Sequence, residues 1–470
     1  MKRTAVLNVV GLTSSLLGPW TPRINSFRAA GAMSTITPAF PAVTCTAQSS
    51  YVTGTPPAQH GSVGNGWYDR NLAEGQFWKQ SNHLIRGRKL WDELKQFSPD
   101  FTCAKLFWWY NMYSTADWSI TPRPLYPADG RKVFDIYTAP LSLRDAIKSD
   151  LGEFPFAGFW GPAAGLPSPQ GGPDCATRWI AESAKWIERK HLPTLSLVYL
   201  PHLDYNLQRL GPRHPAIERD VRLVDEIVGD LIYFYRRNGV QVILLSEYGI
   251  TPVDTPIHLN RLFRAQGWLA IKDELGLELL DCGASKVFAV ADHQVAHIYL
   301  NDRSLAGPVR ALLEQQPGIA QVMGEAEKTA AGIAHPRAGD LIAVAKENAW
   351  FTYYYWLDDR LAPDFARTVD IHRKPGYDPV ELFLDPKLKS PKLKIMRKLV
   401  RKKLGFRMLM DVVPLDASLV KGSHGCIPSN PADHPIIITQ LHETLPKPEL
   451  AATDVYGILR RHVLSTNDQA

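Results

Sequence analysis

Apolar runs of strand length alternate with segments of helical periodicity along this chain. Residues 5–10 and Leu195–Leu200 are two such runs, and Gly239 precedes a third at residues 240–245. Between the last two runs, apolar side chains recur at helical spacing at Val221, Val224, Ile227, Val228 and Leu231. A strand, a helix and a strand joined by a connection of this length predict parallel strands in a sheet covered by helices on both faces.

The remaining pattern is less regular. A strand at residues 33–40 and a helix at residues 22–30 are predicted, and the Gly- and Pro-rich residues 152–172 indicate a surface loop. Residues 267–300 favour extended strands, so residues 267–345 are a candidate inserted or cap region with a small β structure. A length of 470 residues allows two or three domains, or one large α/β domain with insertions.

The amino terminus has two interpretations. Met-Lys-Arg followed by apolar residues is typical of a signal peptide, but no small-x-small cleavage site precedes Pro19 and Trp20. We therefore favour a buried first strand at residues 5–10.

Composition narrows the class of protein. Apolar residues make up 45% of the chain, yet no run of about 18 apolar residues is long enough to cross a bilayer, which predicts a soluble protein. The net charge of +6 is small for this length, and no basic stripe is interleaved with aromatics, so nucleic acid is not an expected partner. Five widely spaced cysteines are typical of a reducing compartment, which predicts a cytoplasmic protein without a disulfide framework.

One segment departs from this moderate charge. Residues 387–408 are strongly basic. The segment is either a solvated helix face beside the functional site or a contact for an anionic membrane surface or substrate.

Polar clusters follow three of the apolar runs. Thr44 comes after residues 33–40, Asp204 after Leu195–Leu200, and Glu247 and Tyr248 after residues 240–245. In parallel sheets the chemistry lies beyond the carboxyl ends of the strands. We therefore expect these side chains to converge.

A recognisable motif surrounds Thr44. The stretch PAVTCTAQSSYVTGTPPAQHGSVGNGWYD at residues 41–69 resembles the nucleophile segment of nucleotide pyrophosphatases and of phosphonoacetate hydrolase. In these proteins a threonine begins a helix that ends at Val-Thr-Gly, and a Pro-x-x-His-Gly turn leads to an asparagine. Here Thr44 and Asn65 hold the first and last places at matching spacing.

The chain thus resembles the type I phosphodiesterase branch of the alkaline phosphatase superfamily. The resemblance implies an α/β fold for residues 1–470, with a central mostly parallel sheet and helices on both faces. It also implies that Thr44 is a nucleophile and that Asn65 binds a phosphoryl oxygen. A helix amino terminus favours an anion on physical grounds as well, although an ordinary Thr cap is the alternative.

The resemblance also implies a metal centre, in which two divalent ions are bound by three Asp, three His and the nucleophile. Asp204 and His424 match that ligand set, whereas Gln208, Glu247 and Tyr248 occupy the places of other ligands and Val10 replaces an Asp. Gln offers a neutral carbonyl and Tyr must lose a proton to bind well. We expect Zn, Mg or Mn at this centre, and one hard ion suits the remaining ligands better than two.

Other residues could compensate for the missing ligands. Asn8 lies two positions before Val10, on the same face of a strand. His372, within a polar cluster with Asp370 and Asp378, is a candidate ligand or general acid, or else part of a charged surface turn. We interpret the following residues as structural: His60, His202, Asp292, His293, His297 and His335.

Three functions remain open. The leading one is a phosphodiesterase or nucleotide pyrophosphatase-like hydrolase, in which Thr44 attacks a small phosphorylated substrate and Glu247 acts as base. A phosphotransferase or mutase would pass the phosphoryl group to another acceptor. A non-catalytic protein would bind phosphorylated metabolites without turnover.

Overall fold

The computed structural model describes residues 1–166 and 175–465. In this part of the chain the strands are β1 (Thr4–Val9), β2 (Ala32–Thr37), β3 (Gly66–Asp69), β4 (Glu74–Phe77), β5 (Cys103–Leu106), β6 (Trp118–Leu125), β7 (Val133–Ala139), β8 (Leu195–Leu200), β9 (Gln241–Leu245), β10 (Thr251–Pro252), β11 (Thr255–Ile257), β12 (Ala270–Glu274), β13 (Leu277–Asp281), β14 (Val287–Asp292), β15 (Val295–Leu300), β16 (Ile319–Met323), β17 (Leu341–Ala345), β18 (Ala349–Phe351), β19 (Gly422–Ser423), β20 (Ile436–Thr439) and β21 (Glu449–Ala451).

The α-helices of the same part are α1 (Pro22–Ala29), α2 (Thr44–Thr53), α3 (Pro57–His60), α4 (Leu90–Phe97), α5 (Ser142–Leu151), α6 (Cys175–His191), α7 (His202–Leu210), α8 (Ile217–Arg237), α9 (Leu259–Ala265), α10 (Ala306–Glu314), α11 (Glu325–Ala330), α12 (Pro391–Lys403) and α13 (Asp454–Leu464). None of these helices is both long enough and apolar enough to cross a membrane.

A nine-stranded sheet forms the centre, in the order β21-β2-β20-β9-β1-β8-β5-β6-β7. β1 pairs in parallel with β8 and β9, and β5 pairs in parallel with β8 and β6. β20 is antiparallel to β9, and β7 is antiparallel to β6. The predicted α/β fold with a mostly parallel sheet is confirmed. Because β1, β8 and β9 run in the same direction, their carboxyl ends meet at one edge of the sheet.

Helices cover both faces of this sheet. On β1, Ala5, Leu7 and Val9 belong to the core that includes side chains of α1, α6 and α8. Val6 belongs to the opposite core, which includes side chains of α2, α4 and α13. Successive strand residues point to opposite faces, so Asn8 is directed towards the face that carries α2.

A second, antiparallel sheet has the order β14-β15-β17-β16. It lies within residues 267–345, where the sequence predicted β structure. Its core also takes in aromatic residues outside that range, such as Tyr68, Phe77 and Tyr377. This shared core joins the second sheet to the segment that precedes α4 and to the segment before α12.

Several local predictions are confirmed. The first strand, β1, is fully buried, and α1 and α8 occupy the predicted helical positions. The basic segment contains α12. Of the predicted loop at residues 152–172, the part from residue 167 onwards lies outside the described residues.

Candidate functional site

Five elements bring the predicted site residues together. Thr44 is the first residue of α2, a helix that ends at Gly54 with a φ of 67°, a conformation that glycine adopts without strain. Asp204 lies in the first turn of α7, just after β8, and Glu247 and Tyr248 follow β9. His424 follows β19, and its Nδ1 hydrogen-bonds the carbonyl oxygen of Ala42, two residues before Thr44, at 2.7 Å.

A chain of hydroxyl groups links Thr44 to a buried carboxyl. The Thr44 Oγ1 and the Tyr248 hydroxyl are 3.1 Å apart, and the Tyr248 hydroxyl donates to Asp204 Oδ1 at 3.2 Å. When the single Tyr248 proton is used by Asp204, the Tyr248 oxygen can accept from Thr44, whose hydroxyl also interacts with Glu247. The arrangement is a continuous path from the Thr44 proton to Asp204.

Asp204 is held on its other side by Gln208. The Gln208 Nε2 donates to Asp204 Oδ2 at 2.8 Å, and the Gln208 Oε1 accepts from the Tyr377 hydroxyl at 3.0 Å. Burial raises the pKa of Asp204 to about 7, against the opposing effect of the hydrogen bonds from Tyr248 and Gln208. Asp204 therefore exchanges its proton near neutral pH.

Glu247 is a second buried carboxyl beside Thr44. Its Oε1 accepts from Asn8 Nδ2 at 2.5 Å and from Gln48 Nε2 at 2.5 Å. Gln48 is itself oriented by the backbone N–H of Trp109, which donates to the Gln48 Oε1 at 2.7 Å. Burial raises the pKa of Glu247 to about 8, and the Gln48, Asn8 and Thr44 side chains moderate that rise.

Four aromatic rings stack next to these carboxyls. The centroids of Tyr248 and His424 are 3.6 Å apart, those of His424 and His293 are 3.7 Å apart, and those of His293 and Tyr377 are 3.6 Å apart. Burial lowers the pKa values of His293 and His424 well below the ordinary value, so both imidazoles are neutral. The stack fills the space between Asp204 and the second sheet with close-packed rings.

Asn65 lies beside the start of α2, where both ends of its amide form a hydrogen bond. Its Oδ1 accepts from the backbone N–H of Cys45 at 3.1 Å, and its Nδ2 donates to Asp292 Oδ1 at 3.1 Å. Asp292 also accepts from the backbone N–H of Asn65 at 2.7 Å and bonds His293 Nδ1 at 2.8 Å. Asn65 therefore fixes the first turn of α2, and one of the two Nδ2 hydrogens is committed to Asp292.

The structure thus gathers Thr44, Asp204, Gln208, Glu247, Tyr248 and His424, with Asn65 adjacent. His372 is placed differently, near the backbone of Phe77 and the charges of Lys79, Lys132 and Asp370. No hydrogen bond or ring contact joins His372 to the residues around Thr44.

Sequence reasoning missed four residues of this site: Gln48, Asp292, His293 and Tyr377. Asp292 and His293 were interpreted as structural residues, and both contact the site from the turn between β14 and β15. The sequence did carry one signal, the polar residues Asp-His-Gln at positions 292–294 between two apolar runs. In the structure His293 adopts a φ of 62°, which is unusual for a residue other than glycine.

The donor set does not fit a pair of divalent ions. Both oxygens of Asp204 accept hydrogen bonds from Tyr248 and Gln208, and the Tyr248 ring lies against His424. Among residues 1–166 and 175–465 no three His, Cys, Asp or Glu side chains are grouped closely enough to hold a metal ion. The expected Zn, Mg or Mn therefore has no matching ligand cluster in this arrangement.

Comparisons with known proteins agree with the fold and the motif. The profile of the type I phosphodiesterase / nucleotide pyrophosphatase family matches residues 4–378. Among curated protein sequences, none matches the chain at a significant level.

Two solved structures resemble the whole chain. Murine ectonucleotide pyrophosphatase / phosphodiesterase 5 is 15% identical, with a TM-score of 0.57 over 99% of this chain and 96% of that one. Phosphonoacetate hydrolase from Sinorhizobium meliloti 1021, in complex with phosphonoformate, is 13% identical, with a TM-score of 0.61 over 98% of this chain and 96% of that one. These likenesses show an alkaline-phosphatase-like fold, and with a family profile spanning most of its length the chain belongs to the type I phosphodiesterase / nucleotide pyrophosphatase family.

Proposed function

We propose that the protein is a phosphoester hydrolase that uses Thr44 as its nucleophile on a small phosphorylated substrate. The observation that carries this proposal is the hydrogen-bonded path from Thr44 through Tyr248 to Asp204. A threonine hydroxyl is a weak nucleophile until a base takes its proton, and this path provides one.

The proton leaves Thr44 along that path. As the Thr44 oxygen attacks phosphorus, its proton passes to the Tyr248 oxygen while the Tyr248 proton passes to Asp204. The bond between phosphorus and the leaving oxygen breaks, and the leaving group takes up the proton now held by Asp204. Water then attacks the phosphothreonine, and Asp204 accepts the water proton. As the bond between phosphorus and the Thr44 oxygen breaks, a proton returns from Asp204 through Tyr248 to that oxygen, which restores the Thr44 hydroxyl.

Asp204 suits this role better than Glu247. A base with a pKa near the working pH is the most effective, and the pKa of Asp204 is about 7. Glu247 has a pKa of about 8, further from neutrality, and its Oε1 accepts from Asn8 and Gln48. We assign Glu247 to positioning, through its bonds to β1 and α2.

The start of α2 supplies the anion site. The first N–H groups of a helix have no partners within it, and together with the helix dipole they favour a tetrahedral anion. Asn65 and Asp292 hold this turn in place through the Cys45 N–H. Because the residues present do not fit a metal pair, no step of the proposal passes through one.

A second function is favoured by the closure of the site, namely binding of a phosphorylated ligand without turnover. Thr44, Tyr248 and His424 are at most 3% exposed, so a substrate needs an opening motion to reach them. The Asn65 amide is held by Cys45 and Asp292, which leaves one of its N–H groups for a bound ligand. Both observations suit a protein that holds a ligand better than one that turns it over.

The test is a hydrolysis screen with matched variants. Phosphate monoesters, diesters and pyrophosphates are offered to the wild type, to Thr44→Ala and to Thr46→Ala, which removes a buried hydroxyl two positions further along α2. AMP and phosphonoacetate, which structural neighbours bind, serve as binding probes in calorimetry. Hydrolysis that Thr44→Ala abolishes and Thr46→Ala retains supports the hydrolase; binding without hydrolysis in all three proteins favours the second function.

A further inference from the structure

Helix α12 carries an unusual combination of charge and exposed apolar surface. Residues 387–408 contain ten Lys or Arg residues and no Asp or Glu. Within α12, Leu393, Met396 and Val400 are 52%, 55% and 52% exposed. Spacings of three and four residues place these side chains in one stripe along the helix, which we call the apolar stripe.

The apolar stripe faces away from the protein. The opposite side of α12 is fixed by Asp411, which pairs with Lys394 at 3.2 Å and with Lys398 at 2.5 Å. Lys394 also donates to the backbone oxygen of Asp411 at 2.7 Å. A helix of a soluble protein normally turns its apolar face inward, and here Lys394, Lys398 and Ile395 take the less exposed positions while the apolar stripe is exposed.

Cations border the apolar stripe on both sides. By helical geometry Lys392 lies along one edge, and Arg397 and Arg401 lie along the other. Long basic side chains can bury their methylene stems at a lipid surface while their charges reach the anionic head groups. Exposed apolar residues continue the stripe beyond the helix at Leu404, which is 68% exposed, and Phe406, which is 60% exposed.

We propose that residues 387–408 bind the surface of an anionic lipid bilayer, with α12 lying in the interface and the apolar stripe inserted among the acyl chains. A basic helix with a polar face and an apolar face is suited to this position. Charge complementarity selects this occupant. A second copy of the chain would bring like charges together, and nucleic acid would leave the apolar stripe in water.

The experiment is vesicle flotation of the full chain. Phosphatidylcholine vesicles are compared with vesicles in which about a third of the lipid is phosphatidylglycerol, since anionic lipid supplies the attraction. We expect binding to the anionic vesicles, weakened by added salt because the charges are exposed. Binding that is equal on both vesicles, or absent from both, overturns the proposal.

Two sets of variants separate the contribution of charge to vesicle binding from that of apolar insertion. Arg397→Gln with Arg401→Gln weakens binding about 25-fold, because each cation near an anionic surface contributes about fivefold. The control is Arg236→Gln with Arg237→Gln, an exposed basic pair at the end of α8, which leaves binding unchanged. Met396→Ser weakens binding about tenfold through lost apolar burial, whereas Leu275→Ser, at an exposed turn, has no effect.

An environment-sensitive fluorophore reports insertion directly. Attached at Met396→Cys, it shifts to the blue on anionic vesicles, and attached at Leu275→Cys it does not. Cys45, Cys103, Cys282 and Cys426 are buried, and the fifth cysteine, Cys175, is replaced by serine in both labelled proteins, which favours labelling at the introduced thiol. Binding to heparin or DNA without binding to vesicles would show that the segment binds a polyanion. Self-association that is lost in Met396→Ser, again without binding to vesicles, would show that it binds a second copy of the chain. Either result overturns the proposal.

Discussion

Replacing Glu247 with glutamine separates the cost of a buried charge from the hydrogen bonds that surround it. Glu247 is 0% exposed, and burial raises its pKa to about 8 from an ordinary value of 4.5. The folded protein therefore keeps a proton that the unfolded chain releases between these two values. The contribution to stability is full below pH 4.5 and is lost as the pH rises towards about 8.

The size of this loss follows from the two pKa values. Their difference corresponds to about 5 kcal/mol, of which about 3 kcal/mol is lost between about pH 5 and about pH 8. Glutamine keeps an oxygen to accept from Asn8 and Gln48 but carries no charge at any pH. Glu247→Gln is thus expected to match the wild type within about 1 kcal/mol at about pH 5 and to be more stable by about 3 kcal/mol at about pH 8.

Urea unfolding of both proteins across this pH range measures the effect. Asp292, whose pKa is also raised by burial, titrates in both proteins and cancels in the difference, whereas the charge of Asp204 contributes to the raised pKa of Glu247 that is measured. Glu74→Gln, which changes an exposed carboxylate, is the control for loss of a carboxylate at the surface. A wild type that matches Glu247→Gln equally at low and high pH would refute the reasoning.

Three further outcomes are expected. Tyr248→Phe keeps the ring stack and removes only the hydroxyl, so turnover should fall by about 100-fold or more while binding of AMP is retained, as measured by steady-state kinetics and calorimetry. Lys374→Met leaves the buried carboxylates of Asp378 and Glu381 without the ammonium group that lies 2.7 Å from each. The free energy of unfolding in urea should fall by about 3–5 kcal/mol, whereas Lys392→Met, at an exposed position, should leave it almost unchanged. Zinc should not raise the melting temperature of the wild type. Gln208→His combined with Tyr248→His should gain a zinc-dependent rise in melting temperature, because two imidazoles are then placed beside Asp204. An equal rise in both proteins would contradict the conclusion that the wild-type side chains do not fit a metal pair.

The sequence was informative wherever local physics determines the outcome. The β8–α8–β9 segment shows its periodicities plainly, and the Thr44 motif predicted both ends of α2. The carboxyl ends of parallel strands meet by geometry, which is why the convergence of Thr44, Asp204 and Glu247 could be expected.

The remaining site features depend on contacts between distant segments. Asp292 and His293 reach the site from the second sheet, and no periodicity in the sequence reports which turn will face α2. The hydrogen bonds between Asn65 and Asp292 likewise form only because the second sheet packs near α2. His372 is the reverse case. Its polar neighbours in the sequence indicated a place beside Thr44, but the charges that act on it in the structure are those of Lys79, Lys132 and Asp370.

The proposed hydrolysis depends on Thr44 as the phosphoryl acceptor. Mass spectrometry of the protein, quenched during turnover of a phosphodiester and digested, tests this most directly. We predict that the peptide containing Thr44 carries a covalent phosphoryl group in the wild type and that no such adduct forms in Thr44→Ala. Turnover of the substrate with an unmodified Thr44 peptide, or undiminished turnover by Thr44→Ala, would contradict it.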